Sequence, residues 1–321
     1  MKKLDYIEYP NNSRNDKEEL IVGLTDKKQK RLNPKYFYDE LGSILFDKIT
    51  MAEDYYPTKT EIEILENKDK KIKKELPSNS TIIEFGSGSN RKIKKLLNIV
   101  DSPNEYISID ISKDFLFKNS KELAKDFPDL KITAVSADFN QELNIPKIHN
   151  IKKPKIGFFP GSTIGNFSRI DAKQTLVKFR KILKPENFLV IGVDLKKDKK
   201  ILEKAYNDKE GITAKFNKNI FKSLNSKFGT NFNEKNFEHN AFFNSKKSRI
   251  EMHLVTMIDH SVKIFDKKID FKVGETIHTE NSYKYTYKSF ERLIESAGYR
   301  IQSFFSDEKS FFGVFILKIT K

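Results

Sequence analysis

Between residues 81 and 194 the chain repeats one pattern: a short β-branched or aromatic run, then a helical stretch with apolar positions on one face. Thr81-Ile82-Ile83-Glu84-Phe85, Tyr106-Ile107-Ser108-Ile109-Asp110 and Leu130-Lys131-Ile132-Thr133-Ala134-Val135 are three such runs, and two more are Lys155-Ile156-Gly157-Phe158-Phe159 and Phe188-Leu189-Val190-Ile191-Gly192-Val193-Asp194. Helices are expected at roughly 91–100, 112–126 and 171–183, the last stopping before Pro185. Strands separated by helices cannot pair as hairpins. Each return crosses a sheet face, so the pattern predicts parallel βαβ units in a doubly wound α/β sheet. Such a sheet binds its ligand at the carboxyl ends of the strands, near the switch point.

The flanking segments read differently. Residues 1–35 are charged and weakly patterned, a helix plus a loop ahead of Pro34. Tyr36 to Ile49 is an aromatic entry into a helix. Thr58 is placed to cap a further helix over about 59–74, with Glu61 at the capping-box position. After Asp194 the alternation stops. Helices are expected at about 198–206 and 214–228, with an antiparallel pair of Ser248–Val255 and Ser261–Phe265. A helix at about 287–297 and strands at about 299–306 and 311–319 close the chain, giving the sheet an antiparallel C-terminal strand. The expected division is a sheet domain of roughly 60–195 with 286–321, and a discontinuous α+β domain of roughly 1–59 with 196–285.

Composition removes several functions. Lys and Arg total 60 against 45 acids, a net charge of +15, which invites a nucleic-acid reading. Only eight of the 60 are Arg, however, and Arg is the residue suited to bidentate recognition of phosphates and bases. The excess therefore reads as a lysine-rich solvated surface, with no nucleic-acid partner expected. With no cysteine there is no disulfide, thiolate metal site or cysteine nucleophile. The five histidines show no H-x-x-x-H spacing, so no metal is expected. The N-terminus lacks the apolar core of a signal peptide, and no stretch approaches the ~18 apolar residues of a membrane span. A cytoplasmic monomer without membrane contact is expected.

The strand ends carry the ligand signal. Gly86-Ser87-Gly88 follows the first run and opens a helix, but Arg91 stands where the dinucleotide fingerprint expects a third glycine, and no P-loop Lys-Ser/Thr follows. Asp110 ends the second run, where a carboxylate can accept both hydroxyls of a ribose. Asp138 and Phe139 follow the third, offering an acceptor for an exocyclic amine and a ring for stacking. Each acid taken alone is equally able to cap a turn. Together they fit an adenosine without a diphosphate, the requirement of S-adenosylmethionine.

A family resemblance joins these motifs. Asn33-Pro34-Lys35-Tyr36-Phe37-Tyr38-Asp39-Glu40, Tyr55-Tyr56-Pro57-Thr58-x-Thr60-Glu61, Ile83-Glu84-Phe85-Gly86-Ser87-Gly88 and Gly161-Ser162-Thr163-Ile164-Gly165-Asn166-Phe167 resemble the histidine-specific Nα-methyltransferases. The likeness continues through Ala205-Tyr206-Asn207-Asp208, Gly211-Ile212-Thr213-Ala214, Arg249-Ile250-Glu251-Met252 and Thr279-Glu280-x-Ser282. Those enzymes form hercynine, the trimethylated betaine on the route to ergothioneine. The resemblance implies a Rossmann-like class I methyltransferase domain plus a substrate-binding domain. It also implies in-line, metal-free methyl transfer from S-adenosylmethionine to the α-amine of L-histidine, with S-adenosylhomocysteine as product. Gly86, Lys92, Asp110, Asp138, Phe139 and Gly161 match the cofactor positions. Tyr55, Asn166 and Tyr206 match residues that grip the amino-acid backbone, and Tyr38 is a further hydroxyl near the amine; Tyr38 and Asn166 are the groups assigned to catalysis. Glu280, Ser282 and Thr213 match groups that recognise the side chain, and Met252 falls where the family packs a thioether beside the ring.

Two departures stand beside this match. The family usually has Val between the Glu and the Ser and Cys after them, where this chain has Asn281 and Tyr283. Alternation along a strand turns both away from the face of Glu280 and Ser282. The rival readings are the same chemistry on tryptophan or another amino acid and, from a different class, an RNA-binding or RNA-modifying protein.

Overall fold

The computed structural model describes residues 4–9, 16–141, 143 and 145–320. The chain divides into two compact units, one taking in Met1–Asn11, Pro57–Lys196 and Tyr283–Lys321, the other Asn12–Tyr56 and Lys197–Ser282. Among the described residues no helix is long and apolar enough to cross a membrane.

The first unit is built on an eight-stranded sheet. Its spatial order is Leu4–Glu8, Lys131–Ser136, Glu105–Asp110, Thr81–Phe85, Lys155–Phe159, Phe188–Asp194, Phe312–Ile319 and Tyr299–Ser306. The first six strands run parallel, while Phe312–Ile319 is antiparallel to Phe188–Asp194 and to Tyr299–Ser306. From Thr81–Phe85 the chain winds outward through two strands, then returns to the other side of its starting strand at Lys155–Phe159. That reversal is a topological switch point, and it opens a crevice beyond Phe85 and Phe159.

Every residue of Thr81–Phe85 and Lys155–Phe159 is buried, which explains their nearly continuous apolar runs. The two faces have separate cores. Ile83, Phe85, Ile107, Ile109 and Phe159 pack on one side; Ile82, Tyr106, Ile132 and Ile156 pack on the other. Alternation along each strand assigns these sides.

The structure corrects two expectations in this unit. Residues 4–8, expected within the second domain as part of a helix and loop, form a strand that lengthens the parallel sheet. Ile7 packs on one core and Leu4 on the other, so a short apolar–polar alternation suffices to hold this edge. The helix expected at 59–74 begins earlier, as Tyr56–Asn67, and breaks before Asp69–Glu75. Thr58 thus lies inside the first turn rather than at a cap, and Glu61 forms no capping box.

The second unit joins helices Asp16–Thr25, Glu40–Ile49 and Ile212–Phe228 to a four-stranded sheet. The sheet order is Lys30–Arg31, Thr276–Tyr283, Arg249–Thr256 and Phe237–Asn244. Asp39 caps the second helix by accepting from the Gly42 N–H at 2.7 Å, and it also accepts from Asn219 Nδ2 at 2.8 Å. The core is aromatic: Phe37 stacks on Phe216 at 4.6 Å and Phe221 on Phe232 at 4.5 Å. The expected pairing of 248–255 with 261–265 is not made. Arg249–Thr256 pairs with Phe237–Asn244, whereas His260–Ile264 pairs with Lys267–Phe271 in a separate hairpin. The hairpin of His260–Ile264 with Lys267–Phe271 closes through Phe265 and Asp266 alone, a tighter turn than the expected pairing would need.

Candidate functional site

In the sheet unit, the residues picked from sequence gather at strand ends. Gly86 follows Phe85, Asp110 ends its strand, Asp138 and Phe139 follow Ser136, and Gly161 follows Phe159. The glycine loop is pinned from several sides. Gly86 and Ser87 donate their N–H groups to Ile109 O at 2.9 and 3.1 Å, and Asn119 Nδ2 donates to Gly88 O at 2.9 Å. Gly86 has φ +76, and a Cβ there would lie 3.3 Å from Cε1 of Phe139. Glycine is therefore what lets this backbone pass under the ring. Phe139 is itself braced by Phe159, Phe179 and Phe167 at 5.7, 6.0 and 6.5 Å.

The electrostatics of these strand ends are unusual for acids. Burial pushes Asp110 up to about 7, even though its carboxylate accepts from the Ser112 N–H at 2.7 Å. Burial also pushes Glu84 up to about 8, against hydrogen bonds from Tyr106 and Ser87. A carboxylate held in this way gains by accepting hydroxyl donors, which favour its charged form. The glycine passage, the braced ring and this carboxylate fit a ribose and a stacked base.

Lys92 stands in the first turn of helix Asn90–Ile99, and its Nζ lies 2.6 Å from Glu61 Oε2. The same carboxylate oxygen accepts from the Gly161 N–H at 2.8 Å. The cap-like spacing of Glu61 gives no hint of this contact, which joins residues far apart in the chain. Asn166 closes the short 3₁₀ turn Thr163–Asn166, half-buried. Just before it, Ser162 holds a left-handed φ of 57, and its Oγ accepts from the Asp194 N–H at 2.9 Å. Asp194 also pairs with Lys284 at 2.6 Å, both fully enclosed. Strained backbone at such a loop persists only where its surroundings fix it.

The second unit holds Tyr38, Tyr55, Tyr206, Thr213, Met252, Glu280 and Ser282. The rings of Tyr55 and Tyr206 meet at 6.1 Å, and the Tyr206 hydroxyl donates to Ser282 Oγ at 2.7 Å. Met252 and Glu280 lie on neighbouring strands and are buried. Thr213 begins a helix whose N–H groups are capped by Asp208, which accepts from Ile212 and Thr213 at 2.7 and 2.8 Å. The Thr213 hydroxyl is buried beside the Asp208 carboxylate, which it helps to hold in its charged form. Tyr38 packs against Phe46 and Phe216, both at 5.9 Å.

A buried network supports this group. Asn217 donates to His253 O and His239 Nδ1, and it accepts from the Thr279 hydroxyl at 2.7 Å. His239 Nε2 then donates to Tyr206 O at 2.9 Å. Asn217 thus ties the backbone of Tyr206 to the strand that carries Glu280 and Ser282.

Histidine spacing along the chain gave no metal pattern, yet the fold brings Glu251, His253 and His278 together, with one ligand atom from each within 4.8 Å of the others. The two imidazoles stack at 4.7 Å and 10°. Nearly parallel rings send their in-plane lone pairs along separate planes, so one ion would require a ring to turn. Glu251 is already gripped by Arg249 at 2.6 Å. Burial works to raise Glu251, but hydrogen bonds from Arg249 and His253 outweigh it and hold the group at about 2. Burial, with the facing His253 ring, holds His278 down at about 4.

Known proteins resemble this chain in sequence. A family model described as histidine-specific, S-adenosylmethionine-dependent methyltransferases matches residues 16–319. The histidine N-alpha-methyltransferase of Mycolicibacterium smegmatis is 33% identical over 303 residues, covering 93% of this chain and 93% of that protein. Ergothioneine biosynthesis protein 1 of Neurospora crassa is 30% identical over 279 residues, 81% of this chain and 30% of that longer protein. Among solved structures, an S-adenosylmethionine-dependent methyltransferase from Clostridium acetobutylicum aligns with a TM-score of 0.45 at 12% identity, over 83% of this chain and 92% of that one.

Proposed function

The chain belongs to the family of histidine-specific, S-adenosylmethionine-dependent methyltransferases, and from that premise we propose that it methylates the α-amino group of L-histidine three times to give hercynine. The observation that carries this is the identity of 33% with a histidine N-alpha-methyltransferase along 93% of both chains. The sheet unit has the Rossmann-like class I methyltransferase fold that the sequence implied, and the second unit is its substrate-binding domain.

S-adenosylmethionine supplies a methyl group on a cationic sulfonium. Asp110 accepts the ribose hydroxyls, Asp138 the adenine amine, and Phe139 stacks on the base; Gly86 gives the backbone room, while Lys92 and Gly161 hold the remaining end. For the acceptor, Tyr55, Tyr206 and Asn166 bind the amino-acid backbone, with Tyr38 near the amine. Phenols and an amide suit this role, because a carboxylate beside the nitrogen would favour the protonated, unreactive ammonium. Glu280, Ser282 and Thr213 read the imidazole, and Met252 packs on it. A buried carboxylate paired with an imidazole N–H discriminates strongly, since an analogue without that donor leaves the acid unpaired. The buried Glu280 supports this reading. It includes a monomer acting in the cytoplasm on a small molecule, with the lysine excess a solvated coat and no nucleic-acid or membrane partner.

The test is a panel of amino acids with labelled methyl donor. Histidine is expected to be labelled far faster than tryptophan, tyrosine or phenylalanine. Tryptophan labelled while histidine stays unmodified refutes the substrate assignment, and tight, saturable RNA binding at physiological salt revives the nucleic-acid reading.

A further inference from the structure

We propose that Glu61 is a positioning residue for the methyl donor, aiming Lys92 and pinning the Gly161 amide at the strand ends. The inference rests on the cofactor assignment above and extends it to a residue outside that set.

Glu61 is 1% exposed, a carboxylate that would be costly to bury unpaired. Its Oε2 accepts from Lys92 Nζ at 2.6 Å and from the Gly161 N–H at 2.8 Å. One oxygen thus joins helix Asn90–Ile99 to the loop after Lys155–Phe159, the two elements that carry Lys92 and Gly161. The other oxygen occupies the space beside Gly192, where a Cβ would lie only 1.9 Å from Oε1. Strand Phe188–Asp194 therefore makes room for this carboxylate by lacking a side chain at that point. A capping or solvated glutamate needs no such room.

The chemistry gives the pair a purpose. An ammonium carries three donors, and Glu61 takes one of them, which fixes the direction of the rest. Lys92 alone would also set a bare positive charge near a cationic sulfonium. Glu61 cancels that charge while leaving Lys92 able to donate. A long lysine side chain held by one charge-assisted bond is preorganised, so less ordering remains for binding to impose.

The test measures binding of S-adenosylhomocysteine by calorimetry, without any amino acid, and then steady-state kinetics. Glu61→Gln keeps the shape and can still accept from Gly161, but removes the charge. Its Kd for S-adenosylhomocysteine and KM for the donor are expected to rise about tenfold, with the histidine KM and kcat changed by less than about threefold. Gly192→Ala displaces the carboxylate without deleting it and should give the same donor-specific loss. In a Lys92→Met background, Glu61→Gln should add little, because the two act through one contact. Unchanged donor affinity in folded Glu61→Gln and Gly192→Ala overturns the proposal, as does an equal rise in both KM values accompanied by a fall in Tm. Wild-type protein that fails to bind S-adenosylhomocysteine refutes the cofactor assignment itself, a result distinct from either.

Discussion

The role proposed for Asp110 couples donor binding to pH in a way that can be calculated. Burial sets its carboxyl at about 7 in the free protein. In the proposed role, ribose hydroxyls would donate to the ionised form, so binding would select the charged state and carry the group well below that value. Affinity then scales with the charged fraction, which is roughly 90% at about pH 8 and 10% at about pH 6. The Kd for S-adenosylhomocysteine should therefore rise about tenfold across those two units. Using this ligand alone keeps the titration of the substrate amine out of the measurement. Asp110→Asn can accept through its amide oxygen but carries no charge. It should bind about ten- to a hundredfold more weakly at about pH 8, the worth of a charged hydrogen bond, and lose most of the pH slope. Glu84, pushed up to about 8, also lies close enough to interact with Asp110, so Glu84→Gln is the control and should retain the slope. A flat wild-type profile between about pH 6 and 8, or an undiminished slope in Asp110→Asn, refutes the assignment of this carboxylate to the ribose.

Three further outcomes follow from the same geometry. A carboxyl whose folded pKa is raised makes the fold lose stability as pH climbs from the unfolded value of 3.8 toward about 7, so Asp110→Asn should melt higher than wild type at about pH 8 and show no gain near pH 4. Gly86→Ala places a side chain at φ +76 and 3.3 Å from Phe139, and it should cost about 1–3 kcal/mol in urea unfolding while also weakening donor binding. Tyr206→Phe removes the donor to Ser282, and it should raise the histidine KM about tenfold while leaving the donor KM within about twofold.

What the sequence disclosed depended on how local the cause was. Buried parallel strands such as Thr81–Phe85 and Phe188–Asp194 are near-continuous apolar runs, so the order of residues alone locates them and the side chains at their ends. Leu4–Glu8 escapes that logic, because an edge strand needs only a short alternation and its partner lies over a hundred residues away. Glu61 is misleading for the same reason. Thr58-x-x-Glu61 has the local spacing of a cap, whereas the contacts that claim its carboxylate come from Lys92 and Gly161. His253 and His278 are 25 positions apart in sequence and become stacked neighbours only through strand pairing. Strand ends are local information, and what a side chain reaches across the fold is not.

The central claim is trimethylation of histidine, and product analysis tests it most directly. Purified protein incubated with L-histidine and excess S-adenosylmethionine should convert histidine to its trimethylated betaine, each methyl replacing an N–H proton that leaves to solvent, with three equivalents of S-adenosylhomocysteine released per histidine consumed. Histidine recovered unchanged from protein that binds S-adenosylhomocysteine would contradict the account.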